Sequence, residues 1–415
     1  MQYTKFSKKQ LQAMLWWARS ATKKRKAIIC DGSVRSGKTM AMTIGFVFWS
    51  SKSFNNENFA FCGKTIESLK RNVITPMQKW LKGVCTIQER VSKNYVEITM
   101  NGHTNRYYVF GGKDETSYQL VQGITLAGIL LDEVALMPRS FVDQAITRCS
   151  VKGSKLWFNC NPEGSEHWFY KEWIKDSEKK NALHLHMTMD DNLSLDSETK
   201  EMYERSFSGV FYDRYIKGLW VLADGLVYPM WSDNYVIDSY KPDEWGEWYV
   251  SADYGTVNPC SFGLWHVTDT KAVRTAEYYF DSREKGWSRT DEEHYSELEK
   301  LVGDIDIRSV IIDPSAASFI ETIKRHGRFS VRRAQNEVLD GIRRTSTLIN
   351  AGCLLVTQEC AGFRKEVKLY CWNNKAETDT VVKENDHAMD DTRYLVNTVL
   401  RRTLLKRIGG DMNDK

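Results

Sequence analysis

A glycine-rich segment near the N-terminus has the composition of a phosphate-binding loop. Residues 32–39 match the pattern GxxxxGK[ST] at every fixed position, and they stand between a predicted strand, 27–30, and a predicted helix, 38–49. In such a loop the backbone N–H groups surround the phosphates, the lysine reaches the β and γ phosphates, and the hydroxyl ligates magnesium. The predicted nucleotide-binding residues are Gly32, Ser33, Val34, Arg35, Ser36, Gly37, Lys38 and Thr39, with Thr39 also a magnesium ligand.

Two carboxylates follow the apolar run Gly128–Leu131. An acid at the end of a neighbouring buried strand holds magnesium through water, and a second acid beside it polarises the attacking water, so we assign these roles to Asp132 and Glu133. Paired acids also occur in surface turns, but beside a phosphate-binding loop they favour hydrolysis, because a kinase needs no poised water. Asn161, before Pro162, is a candidate sensor of the γ-phosphate, although an Asn-Pro turn is the simpler explanation.

The second half of the chain carries another set of acids. Asp253 and Asp313 each follow an apolar strand. Asp390 lies three residues after His387 at the start of the last predicted helix, about 388–404, so that these two share a face. Such oxygen ligands suit Mg²⁺ or Mn²⁺, and two ions about 4 Å apart stabilise both the attacking and leaving oxygens of a phosphodiester cleavage. The predicted catalytic and metal-binding set is therefore Asp253, Asp313 and one acid of the last helix, Asp390 or Asp391, with His387 beside them.

Each of these acids also has a simpler structural explanation. Asp253 could bond its own loop, Asp313 could form a turn before Pro314, and Asp386 could cap the last helix. Asp391 lies four residues after His387, so spacing alone does not choose between it and Asp390.

The order of predicted elements gives the fold class. Strands and helices alternate in the first half, which is typical of a parallel sheet, whereas three consecutive strands precede alternating helices and strands in the second. We predict an α/β protein with an N-terminal P-loop NTPase parallel sheet and a C-terminal ribonuclease H-like mixed sheet. The predicted domains are 1–228, with a helical elaboration at 165–220, and 246–415, separated by a hinge at 218–245.

Composition excludes some other classes. The chain has 415 residues, 42% of them apolar, which is enough for two or three packed domains. No run reaches 18 apolar residues, so we expect no membrane contact, and nine cysteines without a CxxC pair favour a reducing cytoplasm.

The net charge of +4 conceals local clusters of basic residues. Such clusters either contact DNA phosphates or form a solvated charged face. The residues concerned are Lys324, Arg325, Arg328, Arg332, Arg333, Arg343, Arg344, Arg401, Arg402, Lys406 and Arg407.

Together these motifs resemble the large terminase subunit of tailed bacteriophages, and most closely its PBSX-type branch. The resemblance covers nearly the whole chain. It is carried by Gly32–Thr39 with Arg35 inside the loop, Leu130–Glu133, Asn161-Pro162, Tyr215–Trp220 with Gly225 and Tyr228-Pro229, and Asp253, Asp313, His387 and Asp390. The family pattern matches Asp390 rather than Asp391.

The resemblance implies an ATP-driven motor that docks on the portal protein of a procapsid, moves double-stranded DNA inward and cuts concatemers. It further implies a small terminase subunit as partner, a homo-oligomeric ring on the portal, and the host cytoplasm as location. Phe6 and Gln10 are candidates for contacting adenine, and the arginine finger stays open among Arg35, Arg139 and Arg148.

Two other functions remain open at this stage. One is a helicase–nuclease of DNA repair or defence, although the span between Asn161 and the hinge leaves little room for a second motor domain. The other is a P-loop scaffold or kinase with an inactive C-terminal binding domain.

Overall fold

The chain divides into two compact units. The computed structural model describes residues 5–242, 245–255, 259–374, 376 and 378–407, and the side chains of Lys406 and Arg407 fall outside this part. Within it, the first unit runs to Tyr203 and adds Tyr212–Leu222, while the second takes Glu204–Phe211 and the residues from Ala223 onward.

The first unit is built on eight strands. They are β1 (Ala27–Gly32), β2 (Asn58–Gly63), β3 (Thr86–Arg90), β4 (Tyr95–Met100), β5 (His103–Gly111), β6 (Gly128–Leu131), β7 (Lys155–Asn159) and β8 (Ala182–Met187). The helices along this part of the chain are α1 (Lys8–Leu15), α2 (Lys38–Ser53), α3 (Ile66–Leu69), α4 (Thr75–Trp80), α5 (Arg139–Thr147), α6 (Ser197–Ser206) and α7 (Gly209–Tyr215). A π-helical turn, Lys70–Ile74, joins α3 to α4.

These strands form one sheet in the order β3-β4-β5-β2-β6-β7-β1-β8. The six strands from β5 to β8 are parallel, and β3 and β4 add an antiparallel edge. Because β7 lies between β6 and β1, its C-terminal end separates the predicted phosphate-binding loop from the acids that follow β6.

Both faces of this sheet are covered by apolar residues. Ile28 and Cys30 of β1 belong to one cluster, with Phe46 of α2, and Ile29 belongs to another on the opposite face, with Phe141 of α5. Burial on both faces explains why these strands appear in the sequence as continuous apolar runs.

The second unit contains seven strands. They are β9 (Val236–Ile237), β10 (Glu247–Asp253), β11 (Cys260–Val267), β12 (Ala272–Phe280), β13 (Ile307–Ile312), β14 (Val331–Arg333) and β15 (Leu354–Thr357). Its helices are α8 (Ser282–Lys285), α9 (Asp291–Val302), α10 (Ala317–His326), α11 (Val338–Asn350), α12 (Ala361–Glu366), α13 (His387–Leu395) and α14 (Leu404–Arg407). A π-helical turn, Val396–Leu400, follows α13.

The sheet of the second unit is mixed, in the order β14-β13-β10-β11-β12-β15-β9. β10, β11 and β12 form an antiparallel meander, and β13 lies parallel to β10 on its other side. One face carries an apolar cluster with Phe262 and Phe319, and α13 packs against β10 and β11.

The predicted fold class is confirmed, since a parallel sheet precedes a mixed one. Three strands, β3, β9 and β15, and the helices α5, α8 and α12 were not predicted, and α7 was predicted only as part of the helical elaboration at 165–220. The predicted last helix, 388–404, is interrupted by the π-helical turn and begins one residue earlier. Among the residues described, no helix combines the length and apolarity needed to cross a membrane.

Candidate active sites

The predicted phosphate-binding loop joins β1 to α2 in the first unit. A side chain at Gly32 would bring a Cβ atom 1.9 Å from the carbonyl oxygen of Met187 on β8, so only glycine fits there. The Nζ of Lys38 lies 2.6 Å from the Ser33 carbonyl oxygen and 3.0 Å from Oδ1 of Asn161. Burial lowers the pKa of Lys38, and the nearby charge of Glu133 opposes this change. The ammonium is therefore already aimed into the loop.

Thr39 and Asp132 lie side by side. The Thr39 hydroxyl donates to Oδ1 of Asp132 at 3.1 Å, and Nδ2 of Asn159 donates to the same oxygen at 2.8 Å. Burial raises the pKa of Asp132. A hydroxyl and a carboxylate at this spacing are donors that suit Mg²⁺.

Glu133 is held by Asn161 on the neighbouring strand end. The backbone N–H and Nδ2 of Asn161 donate to the Glu133 carboxylate at 3.2 and 3.1 Å, and Glu133 has a left-handed backbone with φ 58°. Burial, and then the charge of Asp132, raise the pKa of Glu133 to about 7. A carboxylate with these properties can accept a proton from water near neutral pH.

Asn159 is a residue of this site that the sequence analysis did not select. In addition to its bond to Asp132, its Oδ1 accepts the backbone N–H of Glu133 at 3.1 Å. The sequence shows two amides, Asn159 and Asn161, at the end of this strand, but only Asn161 was predicted to act at the site. Asn159, the last residue of β7, thus holds both Asp132 and Glu133 in place.

The residues predicted to surround the nucleotide differ in their contacts. Nε2 of Gln10 donates to the Ser36 carbonyl at 3.3 Å, whereas Phe6 packs against the apolar cluster that contains Phe46. The Arg35 guanidinium lies over the ring of Tyr203, 5.2 Å from its centroid, and bonds its hydroxyl. These contacts place Gln10 and Arg35 at the loop, and their roles stay predictions.

The two other arginine-finger candidates have different surroundings. Arg139 is exposed and pairs with Glu172 at 2.9 Å and with Asp143 at 3.4 Å. The Nε of Arg148 is buried and has no hydrogen-bond partner among the described residues. The choice of finger therefore stays open.

In the second unit, Asp253 and Asp313 follow paired positions of two parallel strands, since Ala252 of β10 pairs with Ile312 of β13. Oδ2 of Asp253 lies 2.9 Å from Nδ1 of His387. Burial raises the pKa of Asp253, and the charge of Asp390 adds to this effect. For Asp313, burial is outweighed by hydrogen bonds from Ser315 and Asn336, which lower its pKa.

Tyr394 lies among the three acids and was not predicted. Its hydroxyl donates to Oδ1 of Asp253 at 3.4 Å. Burial, together with the charges of Asp253, Asp390 and Asp313, raises the pKa of Tyr394. Tyr394 therefore lies where the charges of Asp253, Asp313 and Asp390 all act on one side chain.

Asp390 and Asp391 face different surroundings. Asp391 is fully buried and pairs with the fully buried Arg274, while the hydroxyls of Ser251 and Ser261 also donate to it. Asp390 pairs with Arg393 at 2.9 Å and with Lys383 at 3.4 Å. Asp391 thus anchors α13 to the sheet, and Asp390 is the acid whose charge acts on Asp253.

Among the residues described, no three His, Cys, Asp or Glu side chains lie close enough to hold a metal ion between them as they stand. The donors nevertheless fit a divalent cation. Asp253, Asp313 and Asp390 offer hard carboxylate oxygens, and the effect of Asp390 on the pKa of Asp253 is the repulsion that a cation relieves. His387 adds a nitrogen beside Asp253.

The simpler explanations of the acids hold only in part. Asp313 does accept the backbone N–H of Ser315, at 2.8 Å, in the turn after β13. Asp386 makes no side-chain cap to α13, and Glu366 instead accepts the backbone N–H of Ala388 at 2.6 Å.

The expectation that Arg343 and Arg344 contact DNA phosphates is wrong. Both lie on α11 and are only 3% and 4% exposed, and Arg344 donates to Asn397 at 2.9 Å. The part of α11 that carries them, residues 341–349, is buried and cannot present these groups to a duplex. Of the other predicted basic residues, Lys324, Arg325, Arg328, Arg333 and Arg402 are exposed.

Comparison with known proteins decides the family. Residues 29–300 match the family model described as terminase large subunit, T4likevirus-type, N-terminal. The chain belongs to the large terminase family. Its assignment to the PBSX-type branch stays a prediction.

Solved structures of the large terminase from a thermophilic bacteriophage are similar over most of this chain. One is 48% identical, covers 96% of this chain and 100% of the phage chain, and has a TM-score of 0.89. A structure of the same phage terminase in complex with ADP is 48% identical with a TM-score of 0.85, and it covers 95% and 100% of the two chains. A further structure of it, in complex with ATP-gamma-S, is 47% identical with a TM-score of 0.84 over the same shares.

The large terminase subunit of Escherichia phage T5 is a more distant relative. It is 22% identical over 292 residues, which are 66% of this chain and 65% of the phage T5 protein. The match thus spans just under two thirds of that relative's length.

Proposed function

We propose that this chain is the motor and nuclease of a phage DNA-packaging machine. In this proposal the first unit hydrolyses ATP to move double-stranded DNA into a procapsid, and the second cuts concatemeric DNA with two Mg²⁺ or Mn²⁺ ions. The observation that supports it most is the single hydrogen-bond network, completed by Asn159, that joins Lys38, Thr39, Asp132, Glu133 and Asn161.

At the ATP site, each side chain has a distinct task. Lys38 exchanges its carbonyl partners for β and γ phosphate oxygens, and Thr39 with Asp132 would hold Mg²⁺, which neutralises phosphate charge when bound. Glu133 accepts a proton from the attacking water. Asn161 bonds both Glu133 and Lys38, so the loss of the γ-phosphate would change its partners.

At the nuclease site, Asp253, Asp313 and Asp390 would hold the metal ions, which activate water and stabilise the leaving oxygen when bound. His387 orients Asp253 through its Nδ1, and Tyr394 donates to the other oxygen of Asp253. Because both residues lie against Asp253, they restrict the directions in which its carboxylate can turn.

The proposed partners follow from family membership. They are double-stranded DNA, the portal protein of the procapsid and a small terminase subunit, and the chain would form a homo-oligomeric ring on the portal, in the host cytoplasm. The ADP and ATP-gamma-S complexes of the thermophilic phage terminase support a nucleotide site in this chain as well. No observation favours a helicase–nuclease of repair or a P-loop scaffold.

Two single substitutions in the full chain test the division of labour. Lys38→Ala should abolish ATP hydrolysis and leave Mn²⁺-dependent plasmid cleavage, and Asp253→Ala should do the reverse. Lys64→Ala, in the similar string Gly63-Lys64-Thr65, and Asp304→Ala, at an exposed position, are matched controls that should retain both activities. Loss of both activities in a folded single variant would contradict two separate sites.

A third measurement tests packaging itself. Addition of purified procapsids should stimulate ATP hydrolysis by the full chain, because a packaging motor is engaged by the portal. Equal hydrolysis rates with and without procapsids would count against packaging and in favour of another DNA transaction.

A further inference from the structure

Lys383 lies at the edge of the proposed nuclease site, in the loop that precedes α13. Its Nζ is 3.3 Å from Oδ2 of Asp386 and 3.4 Å from Oδ2 of Asp390. The Lys383 side chain is 65% exposed, whereas those of the two acids are 6% and 10% exposed. The ammonium group therefore sits between solvent and two buried carboxylates.

The two oxygens of Asp390 have different partners. Oδ1 pairs with Arg393, whose side chain is only 3% exposed and whose Nη1 also donates to the Asn336 carbonyl. That guanidinium is fixed by its surroundings. Oδ2 faces Lys383, an ammonium on a flexible and largely exposed stem. A cation that approaches Asp390 from solvent consequently meets Lys383 first.

We propose that Lys383 is a resident counter-ion of the nuclease acids and that it sets the metal affinity of the site, because it must release Asp390 before a divalent cation binds that carboxylate. This inference rests on the proposed nuclease function. Lys383 neither accepts a proton nor contacts the reacting atoms in this role, and it acts through Asp390. Because the ammonium is 65% exposed, solvent screens its attraction to Asp390, and it can be displaced at moderate metal concentrations.

The test is a Mn²⁺ titration of the nucleotide-free full chain, with free Mn²⁺ followed by electron paramagnetic resonance. Lys383→Met should tighten the Kd for Mn²⁺ by about fivefold, the upper range for a charge pair that solvent screens. Lys383→Arg should retain the wild-type Kd, because it keeps the charge. Lys368→Met is the matched control, since Lys368 also forms an exposed pair, with Asp233 at 2.9 Å, and its loss should leave the Kd unchanged.

Two results would overturn the inference. One is an unchanged Kd in Lys383→Met, and the other is equal tightening in Lys368→Met, which would indicate a general effect of net charge. Asp390→Asn separates this failure from that of the nuclease proposal. If Asp390→Asn abolishes the Mn²⁺ site while Lys383→Met leaves the Kd unchanged, only the role of Lys383 is wrong. If Asp390→Asn leaves Mn²⁺ binding intact, the metal-binding role of the acids is wrong as well.

Discussion

The indole N–H of Trp220 donates a 2.7 Å hydrogen bond to Oδ2 of Asp31, the residue immediately before the phosphate-binding loop. Oδ1 of Asp31 contacts Nε2 of His184 at 2.8 Å and Nδ1 of His186 at 3.3 Å. The Trp220 ring stacks on Tyr170 with centroids 5.0 Å apart. Burial alone would raise the pKa of Asp31, but these hydrogen bonds hold it below its ordinary value. The strand that carries the loop is thus fixed by an ionised carboxylate and an indole far along the chain.

Trp220→Phe should destabilise the first unit by about 1–3 kcal/mol, the range for a buried charged group that loses a hydrogen-bond partner. Phenylalanine keeps a ring against Tyr170 and removes only the donor to Asp31. The measurement is the free energy of unfolding of the full chain in urea. Trp287→Phe, at a half-exposed position, is the control, and equal losses in the two variants would refute the importance of the bond.

Gly218 packs against the phosphate-binding loop. Its φ is 77°, and an added Cβ would lie 2.8 Å from Cε1 of His186 and 2.9 Å from the backbone nitrogen of Ser33. Gly218→Ala should therefore displace the loop and lower kcat/KM for ATP by about tenfold to a hundredfold. Steady-state ATP hydrolysis is the measurement.

Gly225→Ala is the matched control for this prediction. Gly225 has a φ of 73°, and no atom lies within 4 Å of its added Cβ. It shares the strain of a left-handed alanine, about 1 kcal/mol, without the clash. The same kcat/KM in both variants would mean that backbone strain, rather than contact with the loop, is responsible.

Much of the fold was predictable because of burial. β1, β6 and β7 are covered on both faces and therefore stand out as apolar runs with polar residues at their ends. β3 lies at the edge of the sheet and is almost wholly exposed, so it has no apolar pattern to recognise. β15 has only four residues, too few for periodicity to separate it from a loop.

The site residues also divide into those that a local sequence pattern identifies and those that it does not. Lys38, Glu133 and Asp253 were predictable because each follows a strand or belongs to a local motif. Tyr394 and Trp220 were not, because their partners lie 141 and 189 residues away and no local pattern reports such pairs.

Asp390 and Asp391 should respond differently to the same change. Asp391→Asn removes the carboxylate that is closest to the buried Arg274 charge and leaves Glu277, at 3.4 Å, as a weaker partner, so we expect a loss of about 3–5 kcal/mol in the free energy of unfolding. Asp390→Asn should lose Mn²⁺-dependent cleavage with a smaller loss of stability, because Arg393 keeps the Asn336 carbonyl. Urea unfolding and plasmid cleavage are the two measurements. Wild-type stability in Asp391→Asn would contradict its anchoring role.

ATP hydrolysis should depend on pH through Glu133. Because burial and Asp132 raise the pKa of this carboxyl to about 7, it holds its proton at lower pH and cannot accept one from water. We therefore expect kcat to fall about tenfold for each pH unit below this value and to level off above it. A profile of kcat from about pH 5.5 to about pH 9 would show the midpoint of this titration.

Asn161→Ala sharpens this test. The amide group of Asn161 donates to the Glu133 carboxylate and so stabilises its charged form, while the backbone N–H remains after the substitution. The Glu133 pKa should rise in the variant, and the midpoint of the kcat profile should move to higher pH whatever the loss in amplitude. Asn55→Ala, at an exposed position, should leave the midpoint in place. A midpoint in Asn161→Ala that stays fixed or moves to lower pH would mean that another group, and not Glu133, controls the rate.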